Sequence, residues 1–250
     1  MKFRYVYITA IILGALFAPL LPWYYLALLV VVFLSILFFA CINLSWNFFI
    51  PITCKAFTDE KMVALSFDDG PAMYTENILD TLKQNEVPAT FFCIGKNITG
   101  KERTLARIND EGHIIGNHTY SHALWFDMGS AAKMMADMKD MNTLVKKTIG
   151  RKPLLFRPPY GVINPNLAAA IKGRKYTPIG WNIRSFDTRI KDKQKLLSRI
   201  TGQLKPGSII LLHDSMEITA AILPELIKQI KSNGYKIVRL DKMLNINAYA

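Results

Sequence analysis

Two histidines four positions apart, His118 and His122, are the first residues of the chain that read as chemistry. On a helical turn that spacing puts both imidazoles on one side, close enough to share a divalent cation. Such a pair needs a third ligand. Adjacent carboxylates, Asp68 and Asp69, directly follow the apolar run 62–67 and so stand at the C-terminal end of an expected strand. Neighbouring side chains on extended backbone point to different sides, so one carboxylate can bind the cation while the other stays free as a base. Gly70-Pro71 then turns the chain into the next helix. An ordinary helix N-cap accounts for one Asp at such a turn, but not for two.

His213 follows the apolar run 208–212, again at the end of an expected strand, with Asp214 beside it. A histidine there titrates near neutrality and suits proton donation to a leaving group; capping or core packing is the plainer alternative. Arg157 ends a third short apolar run, and its planar fork can orient a carboxylate. Pro158 and Pro159 hold the loop that follows. The fourth histidine, His113, lies in a short expected strand and reads as packing. Cys41, Cys54 and Cys93 form no CxxC pair and no metal-ligand spacing, and nothing in their positions supports a disulfide.

These residues need a scaffold that gathers strand ends. Apolar runs at 62–67, 89–94, 154–156, 177–181 and 208–212 have the pattern of buried parallel strands. Helical patterns separate them near 75–84, 102–111, 130–149, 166–171, 193–204 and 218–232. Such alternation implies right-handed βαβ units, in an open doubly wound sheet or a barrel, whose active sites gather at the C-terminal edge of the strands. Methionines 128, 134, 135, 138 and 141 follow a helical pattern and are expected in the core.

Ahead of that domain, no charged residue occurs between Tyr5 and Cys54. The run exceeds what one spanning helix of about 20 residues requires, and prolines 19 and 22 divide it into 5–17 and 23–42. The second segment is long enough to cross a bilayer and the first is marginal; the apolar run continuing through Phe39 argues against a cleaved signal peptide. The expected division is therefore 1–50 as membrane anchor with one or two transmembrane helices, 51–60 as linker and 61–245 as catalytic domain. Lys2 and Arg4 favour a cytoplasmic N-terminus, but Lys55 and Lys61 flank the other end almost equally.

The 250 residues carry 31 Lys and Arg against 19 Asp and Glu, a formal net charge of +12. That excess favours anionic surroundings or is simply a solvated basic face. No Arg-rich run with interleaved aromatics is present, which excludes nucleic acid from the expected partners, and no protein partner is expected.

Taken in order, Ser66-Phe67-Asp68-Asp69-Gly70-Pro71, His118-Thr119-Tyr120-Ser121-His122, Arg157-Pro158-Pro159-Tyr160-Gly161 and Leu211-Leu212-His213 resemble the motifs of the polysaccharide deacetylase family (NodB homology, carbohydrate esterase family 4). Thr75, the segment Ala89-Thr90-Phe91-Phe92, Gly95 and the run from Gly112 to Asn117 match as well, so the likeness covers about residues 60–245. The resemblance implies a distorted (β/α) barrel with fewer than eight strands. It also implies Asp69, His118 and His122 as metal ligands, Asp68 as general base, Arg157 as its positioner and His213 as general acid. Tyr160 would give its backbone N–H to the oxyanion. The metal implied is zinc, with cobalt, nickel or manganese as substitutes.

The chain departs from the family at Arg184-Ser185-Phe186-Asp187-Thr188, where an Asp-x-x-Asp-Trp segment is usual. Asp187 keeps one carboxylate. Arg184 brings a positive charge expected to lower the pKa of His213, and Trp181 is a candidate aromatic wall in place of the missing Trp, with core packing as the plainer alternative.

The chemistry agrees with the resemblance. An amide is a poor electrophile with a poor leaving group, so its hydrolysis needs a Lewis acid, a base for water and an acid for the amine. The expectation is hydrolysis of N-acetyl groups on N-acetylglucosamine-type residues of a polysaccharide such as peptidoglycan or a chitin-like oligosaccharide, by an enzyme of the cytoplasmic membrane facing outward. Alternatives are a deacetylase or deformylase of a lipid-linked sugar, motivated by the membrane segment, and a silent glycan-binding homologue, motivated by the Arg184–Thr188 departure.

Overall fold

A computed structural model describes residues 2–17, 19 and 22–250. Of the expected break at 18–22, positions 18, 20 and 21 lie outside the described residues, as do the side chains of Lys2 and Arg4. Two helices open the chain, α1 (Lys2–Phe17) and α2 (Trp23–Ile42). Helix α2 is apolar along nearly its whole length, and the described side chains of both helices are largely exposed. At about 1.5 Å per residue, the 20 residues of α2 match the thickness of a bilayer's hydrocarbon core.

The remaining chain alternates as the apolar runs imply. The first half is β1 (Met62–Asp68), α3 (Thr75–Gln84), β2 (Ala89–Cys93), α4 (Gly95–Ile98), α5 (Glu102–Asp110), β3 (Ile114–Asn117), α6 (Ala131–Ile149), β4 (Leu155–Phe156) and α7 (Pro165–Arg174). After these come β5 (Thr177–Pro178), β6 (Ile183–Arg184), α8 (Lys193–Thr201), β7 (Ser208–His213), α9 (Glu217–Ser232), β8 (Lys236–Ile237) and α10 (Leu240–Leu244). Seven strands follow one path, β5-β4-β3-β2-β1-β7-β6, all parallel, and β8 pairs with the start of β1 just ahead of β2. The sheet curls into a partial barrel, the expected architecture.

Side-chain alternation along β1 sorts the core. Leu65 and Phe67 pack outward with Phe91, Ile210 and Leu212 under helices α3, α5 and α9. Ala64 points inward, among Phe92, Ile114, Leu155 and Ile209, where Leu240 and Met243 of α10 plug the barrel. Ser66 and Asp68 continue that inward row, and both bond Arg157. One strand thus delivers an apolar base and a polar top to the barrel's interior.

The two ends of the path, β5 and β6, do not pair with each other, and a gap remains between β5 and the start of β7. Residues ahead of β1 lie there instead: Thr53 bridges Ile179, and Lys55 bridges Ser208. Ile52, Cys54 and Ala56 are buried. A Cβ on Gly180 would stand 2.6 Å from the Cys54 sulfur and 3.3 Å from Leu44, so this segment lies tightly against the strand end. The C-terminal end of α2 joins the same packing. Ala40, Leu44, Phe48 and Phe49 share a cluster with Phe126, Met134, Phe156 and Ile163, with Val6, Leu37 and Cys41 packed on it. The amide of Ile163 donates to the Cys41 carbonyl.

Two expectations change. The run 177–181 forms only a two-residue strand before Gly180 breaks it, and β6, too short for a periodic signal, follows at 183–184. Of the methionines expected in the core, 134, 138 and 141 are buried and 135 is partly buried, but Met128 is 73% exposed because it ends a short 3-10 turn ahead of α6. The three cysteines are free thiols.

Candidate active site

At the C-terminal edge of the parallel strands, Asp69, His118 and His122 each aim one donor atom at a common point, all within 4.8 Å of one another. Nε2 of His118 and Nε2 of His122 each lie 3.6 Å from Oδ1 of Asp69. The histidines do not share a helical turn, as their spacing suggested. They lie on a loop after β3, and left-handed backbone at Thr119 (φ 68°) and His122 (φ 44°) folds the two rings to 4.9 Å. Asp69 is left-handed too, at φ 77°. Such conformations cost free energy in non-glycine residues and persist where surrounding bonds over-determine them. Those bonds are present. Asp137 of α6 accepts from the amides of Tyr120 and Ser121, and Asn117 Oδ1 accepts from the Thr119 amide.

The imidazoles are prepared as lone-pair donors. His118 is 2% exposed, and its Nδ1–H donates to the Arg157 carbonyl at 2.7 Å, which leaves Nε2 unprotonated toward Asp69. Burial drives the His118 pKa down to about 3, against the pull of Asp69. Burial also lowers that of His122, again opposed by Asp69. Two neutral imidazoles and one carboxylate, converging without a neutralising proton, fit a divalent cation by donor chemistry and leave coordination positions open for substrate.

Asp68, next to Asp69, points into the barrel. Its Oδ1 accepts from Arg157 at 2.7 Å, and its Oδ2 stays 3.9 Å from His118 Nε2. Arg157 is fully buried. Its remaining donors reach Ser66 Oγ and the carbonyls of Ile179 and Gly180, and Phe92 stacks on the guanidinium at 4.1 Å. Burial raises the Asp68 pKa although Arg157 opposes the shift.

On β7, where His213 pairs in register with Asp68, its Nδ1 lies 2.8 Å from Asp187 Oδ1, while the His213 amide and Thr219 Oγ1 donate to Asp187 Oδ2 at 2.7 and 2.6 Å. Burial would lower the His213 pKa, but the hydrogen bond and charge of Asp187 carry it up to about 9. Burial would raise the carboxyl of Asp187, and its bonds to His213 hold it below the usual range. The expected lowering of His213 by Arg184 is therefore corrected. Arg184 is exposed, with its guanidinium 4.9 Å from the Phe186 ring and 5.9 Å from that of Trp181, whereas Asp187 touches the imidazole directly.

Tyr160 holds left-handed backbone (φ 58°), lays its ring 4.7 Å from His122 and donates its hydroxyl to the His122 carbonyl. Trp181 backs that loop. A Cβ on Gly161, itself at φ 69°, would meet the indole at 2.6 Å, so only glycine lets wall and loop approach.

Three positioning residues carry little sequence signal. Asp214 is buried and accepts from Thr75 at 2.6 Å, and a Cβ on Gly70 would meet its Oδ2 at 2.1 Å, so the turn after Asp69 closes onto it. Asp137 sits on a methionine-patterned helix with nothing to mark it, and Asn142 accepts from Asn117 inside the same helix. His113, read as packing, has its pKa lowered to about 4 by burial and lies with its ring 5.6 Å from that of Phe91.

A partial parallel barrel whose strand ends gather a three-donor cation site, a buried carboxylate and a histidine–carboxylate pair defines a hydrolase class. The family described as "Polysaccharide deacetylase" matches residues 55–179. A peptidoglycan-N-acetylglucosamine deacetylase of Bacillus cereus is 33% identical over 199 residues, covering 77% of this chain and 92% of that protein. The peptidoglycan-N-acetylmuramic acid deacetylase PdaC of Bacillus subtilis is 34% identical over 186 residues, covering 74% of this chain; the match spans 39% of PdaC's length. Among solved structures, the Bc1960 peptidoglycan N-acetylglucosamine deacetylase superposes with TM-score 0.76 at 29% identity, over 80% of this chain and 95% of that one. The Bacillus anthracis protein BA3943, a pseudoenzyme, gives 0.70 at 25% identity, over 76% and 68%. The chain belongs to the polysaccharide deacetylase family, and the relatives named as peptidoglycan deacetylases hydrolyse carbon–nitrogen bonds other than peptide bonds.

Proposed function

We propose that this chain is a metal-dependent deacetylase that removes N-acetyl groups from N-acetylglucosamine-type residues of a cell-wall glycan. The observation that carries the proposal is a base and an acid gathered at the strand ends beside one cation site. Asp68 is held by Arg157, His213 is held by Asp187 and pairs in register with Asp68, and Asp69, His118 and His122 converge next to them. The relatives acting on peptidoglycan supply the substrate class.

Asp69, His118 and His122 hold the cation. When bound, it polarises the acetyl carbonyl and acidifies water. Asp68 accepts the proton of the attacking water through Oδ2, because its Oδ1 is committed to Arg157. His213 gives its Nε2 proton to the departing amine; its other ring nitrogen is fixed on Asp187, so the free one faces the cleft. The Tyr160 amide donates to the oxyanion, and Tyr160 and Trp181 wall the sugar. Zinc suits two imidazoles and a carboxylate, with cobalt, nickel or manganese as substitutes.

The Arg184 and Thr188 departures leave this set complete, and that favours an enzyme over a silent glycan binder. We place residues 1–50 as membrane anchor and the barrel outside the cytoplasmic membrane, where wall polymers are. Val6 packs beside Leu37 and Cys41, so the N-terminus and the barrel share a side. Lys2, Arg4, Lys55 and Lys61 then also share it, and charge alone would make that side cytoplasmic; the wall-directed relatives carry the placement instead. Protease added to intact spheroplasts should digest the barrel, and full protection refutes this sidedness. For the activity, zinc-loaded protein should release acetate from N-acetylated glycan. No acetate from peptidoglycan, chitooligosaccharide or lipid-linked sugar overturns the proposal.

A further inference from the structure

The loop that leaves His122 presents large apolar side chains to solvent. Leu124 is 68% exposed, Trp125 72% and Met128 73%. Between them Phe126 is buried, at 7%, so the loop is pinned by one aromatic and displays the others. The place where it is pinned matters. Phe126 shares its cluster with Ala40, Leu44, Phe48 and Phe49, the end of α2 and the residues that follow it. Asn164 donates to the Asp127 carbonyl, Asn166 to that of Gly129, and the neighbouring Ile163 amide donates to Cys41. The loop and the end of α2 are therefore tied to one short stretch of chain at the start of α7.

The ends of α2 carry the marks of two bilayer interfaces. Trp23, Tyr24 and Tyr25 begin it, exposed and aromatic, and Trp46, 44% exposed, lies one turn beyond its end. Aromatic residues concentrate at headgroup depth on both sides of a bilayer. If Trp23 marks one face, Trp46 marks the other, about 30 Å away along a helix of this length. Leu44, two residues before Trp46, touches the cluster that pins Phe126. The exposed Leu124, Trp125 and Met128 therefore flank a residue packed into the same cluster as the end of α2, on the loop that starts from His122 of the cation site.

From this we infer that the loop 123–129 is a bilayer-docking surface. With α2 it would hold the mouth of the active site against the headgroups, so that the enzyme acts on N-acetylated sugars presented at the membrane surface, lipid-linked ones included. Burial of exposed apolar side chains at the interface supplies the attraction, and continuity with α2 selects a lipid surface over a protein partner. The inference rests on α2 as a spanning helix and on the deacetylase reading, but its first test does not depend on turnover.

Full-length protein is reconstituted in vesicles of equimolar phosphatidylcholine and phosphatidylglycerol, with the phosphatidylcholine brominated on its acyl chains. Bromine quenches only tryptophans at bilayer depth. Trp23 and Trp46 quench in every variant, so the readout is the difference between wild type and Trp125→Phe. Trp125 contributing quenched emission is the expected result; Trp125 emission untouched by bromine overturns the inference. A second arm compares acetate release from a polyprenyl-linked N-acetylated sugar in the vesicles with release from a soluble chitooligosaccharide. The triple substitution Leu124→Ser, Trp125→Ser, Met128→Ser should lower the first rate and spare the second. A raised KM for the soluble sugar, without Trp125 quenching, would make the loop a sugar-stacking surface and overturn docking. Bromine quenching of Trp125 in a protein that releases no acetate from any substrate would sink the deacetylase reading and leave the docking surface standing.

Discussion

Two carboxylates flank the cation site, each buried against a cationic side chain, and they end in opposite states. Asp68 faces a guanidinium that cannot give up its proton, and burial still lifts the carboxyl above its ordinary range. Asp187 faces an imidazole that can titrate, and there the pair is resolved by raising His213 to about 9 while the carboxyl falls. The difference lies in the partners. Arg157 spreads its donors over Ser66, Ile179 and Gly180 as well as Asp68, whereas Asp187 concentrates the His213 amide, the His213 ring and Thr219 on one carboxylate. A site that needs a base on one side and an acid on the other obtains both from similar parts by changing how the charge is shared.

The largest expected effects come from separating the cation site from the base beside it. Asp69→Ala should abolish tight zinc binding in a calorimetric titration, because two imidazoles alone remain. Asp68→Asn should keep the metal and cut kcat by roughly two to four orders of magnitude, the usual loss for a missing general base. Equal loss of zinc in the two variants would reverse the roles assigned to these neighbours. Next comes the anchor of the base. Arg157→Met leaves Asp68 buried without its partner, and breaking a buried pair in this way costs about 3–5 kcal/mol. Chemical denaturation should register it, and a change below about 1 kcal/mol would mean that the pair is more hydrated than its burial implies.

The acid side should respond to pH. Asp187→Asn keeps an acceptor for the His213 amide and Thr219 but removes the charge, so His213 should fall from about 9 toward the ordinary value, near 6.5. The alkaline limb of kcat then moves to lower pH by a similar interval. Stability has a matching sign. A histidine whose folded pKa is raised contributes fully below its unfolded pKa, about 6.5, and the contribution is lost as pH climbs through about 9. Wild type should therefore lose stability across that window, and Asp187→Asn should not. An unmoved alkaline limb in the variant would remove His213 from the role of acid.

Much of this site is legible in the sequence because its chemistry lies at strand ends, and strand ends are visible as the edges of apolar runs. Asp68, Asp69 and His213 are found this way, and helix boundaries such as 75–84 coincide with the apolar pattern. What was not legible has physical reasons. The histidine loop owes its shape to positive φ at Thr119 and His122 and to Asp137, a single carboxylate on a helix face, and neither leaves a periodic trace. Strands β4, β5 and β6 have two residues each, too few to alternate. The apolar segment after α2 reads as the tail of an anchor, yet Leu44, Ile52 and Cys54 close around Gly180 beside Arg157. Hydrophobicity alone does not say whether lipid or protein will cover it.

The smallest effect sharpens the comparison most. Arg184 stands where the family usually carries an aspartate, three positions from the carboxylate that sets His213. If the acid's pKa were governed by the summed charge of this segment, Arg184→Asp would raise it markedly. The geometry argues otherwise. Arg184 lies over Phe186 and near Trp181 at the surface, while Asp187 meets the imidazole at 2.8 Å in a buried setting. Across solvent such an exposed charge is weakened by the dielectric of water and screened by salt, so reversing its sign should move the alkaline limb by less than about half a pH unit. A shift of a full unit or more would show that the exposed arginine tunes the acid after all, and that the two sides of the site differ by long-range charge rather than by the bonds each carboxylate makes.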